Sequence, residues 1–320
     1  MPPKRKTSFE WWEERIRTLT GYRDEARELY KKVGRAYTRG YWLLLKLSIL
    51  AYYIDVYTVI AKRNFNRIIY IDLFAGCGLN KIKIRNRDIE EIIMGSALLS
   101  KKIPRDGKEF DQIILVENDP ENAEILENLI PDAYVISGDC NSLEALQKIK
   151  DIISKVPNTH FLAIADPEGL ELKWNTIKTF LEMNGDIIIN YMCGGVGRIW
   201  GTIYSSSTKT STKESLSKTM DVFFGTDDWK NCPPPPNGNA ECLFNIYFNR
   251  VKEFREKSIP IKVRGIRGFH YHMIVGVRKT KGTQPWISAI ERVKSKVENI
   301  TEDEIKRLID IYRGRQRQLS

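Results

Sequence analysis

The sequence predicts an α/β fold: a Rossmann-like sheet of five parallel strands with helices on both faces, completed by a C-terminal antiparallel hairpin. Three observations carry the prediction. Residues 68–78, IIYIDLFAGCG, form an apolar, β-branched run that ends in an acid and two closely spaced glycines, the pattern of a buried strand entering a tight turn around a ligand. Four more short apolar runs come at 112–119 (QIILVEND), 133–139 (AYVISGD), 161–166 (FLAIAD) and 186–192 (DIIINYM), with helical periodicity at 121–130 and 142–154 between them. Strands alternating with helices make a parallel sheet with right-handed crossovers. Residues 259–267 and 270–278 then read as two strands joined by a short glycine-containing turn.

Ahead of the sheet, residues 1–40 read as a basic helical extension. Trp11, Trp12, Ile16 and Leu19 fall near helical spacing among Arg15, Arg17, Arg23 and Arg27. Such a stripe either packs on the main domain or stacks on and neutralises nucleic acid. Residues 41–60 form a second helix, apolar on most sides and so expected to be buried. Lys46 and Asp55 interrupt it, which argues against a membrane span, and MPPKRKTSFEWW lacks the apolar core of a signal peptide. The expectation is a cytoplasmic protein with no membrane partner.

In the first turn, glycines permit positive φ and close approach of a ligand to the backbone. Asp72 sits at the carboxyl end of its strand, where open α/β sheets bind ligands. After Gly78 a polar and basic stretch, LNKIKIRNRDIEE, reads as a long loop before a helix that starts near Ser96, its expected N-cap. The turn is no Walker A loop, since no GK[ST] comes after it.

Beyond residue 192 the pattern breaks into CGGVGR, SSSTKTSTKES, FFGTDDW and a run of prolines. A connection this long is functional or flexible, so 193–258 is expected to be an insertion carrying substrate contacts or a lid. Domains are thus read as 1–40, a donor-type core at 41–192, the insertion, the hairpin at 259–280, and C-terminal helices at 281–320, the last of which has Thr301 as its N-cap. The five cysteines are scattered with no CxxC pair, so neither a zinc site nor a disulfide framework is expected. His270 and His272 share a strand face, and two ligands do not make a metal site.

Charge is unevenly spread. Residues 107–186 hold 6 Lys/Arg against 16 Asp/Glu, residues 250–280 hold 9 against 2, and the first 40 residues hold 11 against 6. An acidic centre with basic flanks points to a polyanionic partner held by the flanks, unless these are ordinary solvated faces. Basic candidates for phosphate contact are Arg198, Lys209, Lys213, Arg264 and Arg267.

Five strand-and-helix units, a closing hairpin and acids at the ends of the first three strands together resemble a class I S-adenosylmethionine-dependent methyltransferase. More narrowly, YIDLFAGCG, GSALLS, LVEND, GDCNS, ADPEGLELKW and FFGTDDW, in that order, resemble the three-Cys-motif partner protein family (TcmP) over residues 41–280. The resemblance implies that Asp72, Gly76 and Gly78 form the turn around the methionine part of S-adenosylmethionine, with Phe74 and Ser96 also counted with the donor site. It implies that Glu117 accepts from the ribose hydroxyls, and that Asp139 and Cys140 meet the adenine. Asp166-Pro167-Glu168-Gly169 stands where amino-directed methyltransferases carry Asp/Asn-Pro-Pro-aromatic, which makes Asp166, Pro167 and Glu168 the catalytic candidates, with Asp166 also counted with the donor site. Glu168 and Gly169 depart from that pattern and remove the base-stacking ring.

The resulting expectation is methyl transfer to nucleic acid at a base nitrogen, RNA slightly ahead of DNA for want of a groove-reading motif. Two alternatives stand beside it: a methyltransferase-like nucleic-acid-binding module without chemistry, and a protein methyltransferase working with a partner protein.

Overall fold

Thr7 opens the first helix, α1 (Ser8–Thr20), through a capping box with Glu10, and α2 (Arg23–Val33) ends on Gly34 in the left-handed conformation. The computed structural model describes residues 6–83, 90–235, 240–255, 257–266, 270–278 and 283–314; Arg267 lies outside them. Trp11, Trp12, Ile16 and Leu19 are all buried, packed in one core with α3 (Trp42–Ala61) and with the C-terminal helices. The tryptophan stripe is therefore core, and Trp12, fully buried, is not a platform for stacking bases.

Between α2 and α3 runs a short strand, β1 (Tyr37–Arg39). By length and composition α3 is apolar enough to cross a membrane, yet 67% of its apolar window is buried within the protein. The first sheet strand, β2 (Arg67–Asp72), leads to the glycine turn. The stretch after it, expected to be a loop, instead contains two strands, β3 (Leu79–Lys83) and β4 (Glu90–Met94), paired antiparallel, with β1 parallel to β3. Leu79 and Ile82 of β3 and Ile92, Ile93 and Met94 of β4 are buried without strict alternation, which is why the pair does not read as strands in the sequence. Helix α4 (Ser96–Lys102) comes next, with Gly95 and not Ser96 at its N-cap, so Ser96 begins the helix.

The remaining elements are β5 (Gln112–Glu117), α5 (Pro120–Leu129), β6 (Tyr134–Ser137), α6 (Leu143–Ser154), β7 (Thr159–Ala165), α7 (Trp174–Glu182) and β8 (Gly185–Tyr191). The 193–258 stretch is largely helical: α8 (Cys193–Tyr204), α9 (Thr210–Phe224), a 3-10 turn (Asp228–Asn231) and α10 (Ala240–Phe254). Then come β9 (Lys257–Arg264), β10 (His270–Val277), α11 (Thr283–Val297) and α12 (Glu302–Tyr312). The large sheet has seven strands in the order β6-β5-β2-β7-β8-β10-β9. β10 is antiparallel to both neighbours, and the other pairings are parallel, as expected of five parallel strands completed by a hairpin.

Two cores result. On one face of the sheet, α1, α3, α4, α11 and α12 enclose Ile68, Tyr70, Leu115, Leu162, Ile164 and Ile188. On the other, α6 to α10 cover Ile69, Ile71, Ile114, Phe161, Ala163, Ile187 and Ile189. Met220, Phe223, Phe224, Leu243 and Tyr247, from the stretch expected to be an insertion, belong to this second core, so that stretch is part of the folded domain. Cys232, just after the 3-10 turn, and Cys242 of α10 form a disulfide, against the thiol reading of the sequence. Their separation of ten residues matches none of the spacing patterns that announce a pair, and only the helical fold brings the Cα atoms to 5.9 Å. Replacing both by serine is expected to cost about 2 kcal/mol, the entropy of a short closed loop that its prolines already restrict. Urea unfolding of the oxidised protein with and without reductant checks this; reductant should shift the wild type and leave the double variant unmoved.

Candidate functional site

The strand order reverses between β2 and β7: from β2 the chain moves to β5 and β6 on one side, and β7 and β8 lie on the other. Such a switch point leaves a crevice outside the carboxyl ends of the strands. The side-chain period of two decides what faces it. Tyr70, Leu115, Ile164 and Ile188 lie in the core beneath α3, so Asp72, Glu117, Asp166 and Asn190, each two residues on, emerge on that same face at the carboxyl edge.

Asp72 is fully buried. Its Oδ1 accepts from the Phe74 N–H at 3.1 Å and its Oδ2 from the Tyr70 hydroxyl at 3.3 Å. Burial nevertheless dominates and pushes its carboxyl up to about 6. In the turn beyond it, Gly76 and Gly78 have φ of +63° and +77°. A Cβ on Gly76 would come within 3.2 Å of the Tyr37 ring, so glycine serves both the turn and the packing of β1 across it.

Glu117 clamps this turn. Its Oε2 accepts from Gly76 N–H at 2.8 Å and its Oε1 from Asp119 N–H at 2.9 Å. Asn122 links the carboxylate to Tyr37, donating to the Tyr37 hydroxyl oxygen at 2.7 Å. Asp119 caps α5 and pairs with Arg35 at 2.6 Å. Asp139 lies exposed beyond β6 and accepts twice from Asn141, at 2.9 and 2.8 Å. Cys140, beside it, is buried, which pushes its thiol up to about 12 and makes it inert as a nucleophile.

Asp166, just past β7, is half-buried and doubly held: Lys46 of α3 pairs with its Oδ2, and Asn190 donates to its Oδ1 at 2.6 Å. Lys46, Ser96, Asp166, Asn190, Ile164 and Met273 are among the residues around a small cavity of about 20 Å³. Pro167 is buried; Glu168 is exposed and pairs with Arg39 of β1. Thus the structure gathers Asp72, Ser96, Asp166 and the glycine turn at one edge, with Glu117 next to them and Asp139 further out.

The basic candidates are more scattered. Arg198 is exposed on α8, Lys209 precedes α9 and Lys213 lies in its first turn, while Arg264 ends β9 at the carboxyl edge. Sequence reasoning missed Tyr37, Lys46 and Asn190 as members of the site. Lys46 was visible only as a charge breaking an apolar helix, and a charge there implies a buried partner. Among the described residues no group of acids, histidines and cysteines could hold a metal ion.

Removing the charge on Asp72 should change the pH profile of stability. A carboxyl whose folded pKa is raised favours the folded state below its unfolded value near 4, and that contribution is lost as pH rises toward 6. Relative to Asp72→Asn, the wild type is therefore expected to lose about 3 kcal/mol between pH 4 and pH 7. Denaturant unfolding of both proteins across that range checks it; parallel curves would refute the assignment.

No protein-family model and no curated protein matches this chain. Among solved structures it is similar to a protein of Legionella pneumophila str. Philadelphia 1 (12% identity, 78% of this chain and 91% of that chain, TM-score 0.39). It is also similar to the plantazolicin methyltransferase BamL in complex with a triazolic desmethylPZN analog and SAH (10%, 95% and 92%, TM-score 0.35). A third is a TehB-like SAM-dependent methyltransferase from Corynebacterium glutamicum (12%, 71% and 88%, TM-score 0.29). Likenesses this remote leave the chemistry of the site to the residues of this chain.

Proposed function

We propose that this chain is an S-adenosylmethionine-dependent methyltransferase that acts on nucleic acid at a base nitrogen. The observation that carries the reading is the carboxyl edge itself: a positive-φ glycine turn clamped by Glu117 and flanked, on one face at the switch point, by Asp72 and Asp166. The donor, when bound, supplies an electrophilic methyl group on its sulfonium. Asp72 would take its amino group, replacing weak partners by a cation that favours the ionised carboxylate. Phe74, Gly76, Gly78 and Ser96 would surround the methionine part. Glu117 Oε2 accepts one N–H, from Gly76, and has a further lone pair for a ribose hydroxyl, while Oε1 is taken up by Asp119 N–H and Asn122. Asp139, exposed, has room for an adenine amino group above buried Cys140.

Asp166, with Pro167 and Glu168 beside it, would position the target nitrogen, and positioning supplies much of the rate when the electrophile comes ready-made. A basic rim supports the nucleic-acid reading: residues 257–278 carry five Lys/Arg and no Asp/Glu, and Arg264 places one of these charges at the carboxyl edge. Arg198, Lys209, Lys213 and Arg267 are the further phosphate contacts in this proposal. The six ordered stretches that resemble the three-Cys-motif partner family support that narrower kinship, and with it a protein partner, on sequence alone.

Calorimetric titration with S-adenosylmethionine tests the reading. Saturable binding is expected, weakened at least tenfold by Asp72→Ala or Glu117→Ala, since hydrogen bonds to charged groups are worth about 1.5–3 kcal/mol. Because Asp72 must be ionised to hold a cation, affinity should fall as pH drops below about 6. A folded wild-type chain that binds no donor overturns the proposal.

A further inference from the structure

Strand β1 runs across the carboxyl edge. Tyr37 and Arg39 share one face of the strand, with exposed Thr38 between them, and Arg35 reaches the same edge just ahead of it. Arg35 pairs with Asp119 and Glu121 at the start of α5. The Tyr37 ring packs on Gly76, and its hydroxyl accepts from Asn122 at 2.7 Å. Arg39 pairs with Glu168 beyond β7. These partners come after β5, β2 and β7, and that is the order of the three strands in the sheet. The four residue steps from Arg35 to Arg39 reach about 13 Å and two inter-strand spacings about 10 Å, so the segment is long enough to cross all three strand ends.

Beneath the segment lie parts of the proposed donor site. Glu117 is only 8% exposed, and Gly76 of the turn lies against the Tyr37 ring. Two glycines bracket the cover: Gly34, left-handed at the end of α2, and Gly40, ahead of α3. A few residues at the ends of elements are enough to absorb a hinge motion. Of the contacts that hold the cover down, Arg39 to Glu168 is the one that reaches across β2 to the β7 side. The same guanidinium lies over the Tyr37 ring at 4.8 Å, so one side chain ties ring and carboxylate together. Glu168 stands where the amino-directed methyltransferase pattern has proline, and its 63% exposed side chain is engaged by β1.

We propose that residues 35–39 are a latch over the donor site, fastened by the Arg39–Glu168 ion pair, and that S-adenosylmethionine enters and leaves when this pair breaks. The inference rests on the proposed donor site and adds the step by which it is loaded. Arg39 and Glu168 are positioning residues here: they hold β1 and touch no reacting atom. Because the pair lies at the surface, salt screens it, and donor exchange depends on ionic strength. The latch also ties loading of the donor to the loop of Asp166, which is two residues from Glu168.

The test is stopped-flow mixing of the full chain with S-adenosylmethionine, with no acceptor present, alongside calorimetry for the equilibrium. Arg39→Ala and Glu168→Ala are each expected to raise both the association and the dissociation rate constant about two- to fivefold, the range for loss of an exposed ion pair, so that Kd moves less than either rate. The double variant should exchange donor no faster than the single ones, and the exchanged pair, Arg39→Glu with Glu168→Arg, should return toward wild-type rates. Raising salt from about 0.05 to about 0.5 M should quicken exchange in the wild type and not in the double variant. Rates unchanged in both single variants, effects that add in the double variant, or a dissociation rate that rises alone, as it would for a lost donor contact, overturn the latch and leave donor binding standing. A folded wild type that binds no donor overturns the proposed function as well.

Discussion

The constraint on which this structure depends is that a parallel sheet must bury both faces. Every residue of β7 and β8 is buried, and helices cover the sheet on either side. Polar side chains on these strands therefore have two places to go, the carboxyl and the amino edge. Glu117, Asp72, Asp166 and Asn190 occupy the first; His160 and Asp186 the second. The fold concentrates its chemistry at the strand ends because nowhere else along them can a polar atom find a partner.

The two edges treat that polarity differently. At the amino edge His160 and Asp186 approach to 3.9 Å, but burial lowers the histidine to about 3 and raises the acid to about 7, so they do not form a stable ion pair at neutral pH. Each is satisfied locally, His160 by the Tyr57 hydroxyl at 2.8 Å and Asp186 by the Arg278 N–H at 2.9 Å. Phe65 stacks on the His160 ring at 4.2 Å, beside a small cavity of about 20 Å³ that Tyr57, Asp186 and Trp286 also line. At the carboxyl edge, in contrast, Asp166 is ion-paired with Lys46, an acceptor on Asn190 is left open, and Asp72 is held near its ionisation point.

Much of this architecture was legible from periodicity. All five parallel strands, α3, α5, α6 and the closing hairpin emerge from apolar runs because burial on two faces leaves an unmistakable sequence of Ile, Leu and Val. Asp72 and the glycine turn were readable for the same reason, as the point where that run stops. The small sheet of β1, β3 and β4 was not, because its strands are three to five residues long and only partly buried, and the lysines outside Leu79 and Ile82 read as a loop. Helices α8 and α9 were obscured by the glycines of the one and the serines and threonines of the other, although Val196, Trp200, Phe223 and Phe224 anchor them. The disulfide and the Lys46–Asp166–Asn190 contact depend on residues 10, 120 and 24 positions apart, and pairing of that kind comes only from the folded chain.

The ion pair of Lys46 with Asp166 also reconciles the two halves of the charge pattern. Acids collect at the carboxyl edge, whereas residues 257–278, which include β9 and β10, carry five Lys/Arg and no Asp/Glu. With Asp166 compensated by Lys46, the pair that borders the cavity carries no net charge, so the cavity wall there is polar without being acidic. The same lysine is the residue that breaks the apolar pattern of α3, and its position in an otherwise buried helix is explained by the carboxylate it must reach.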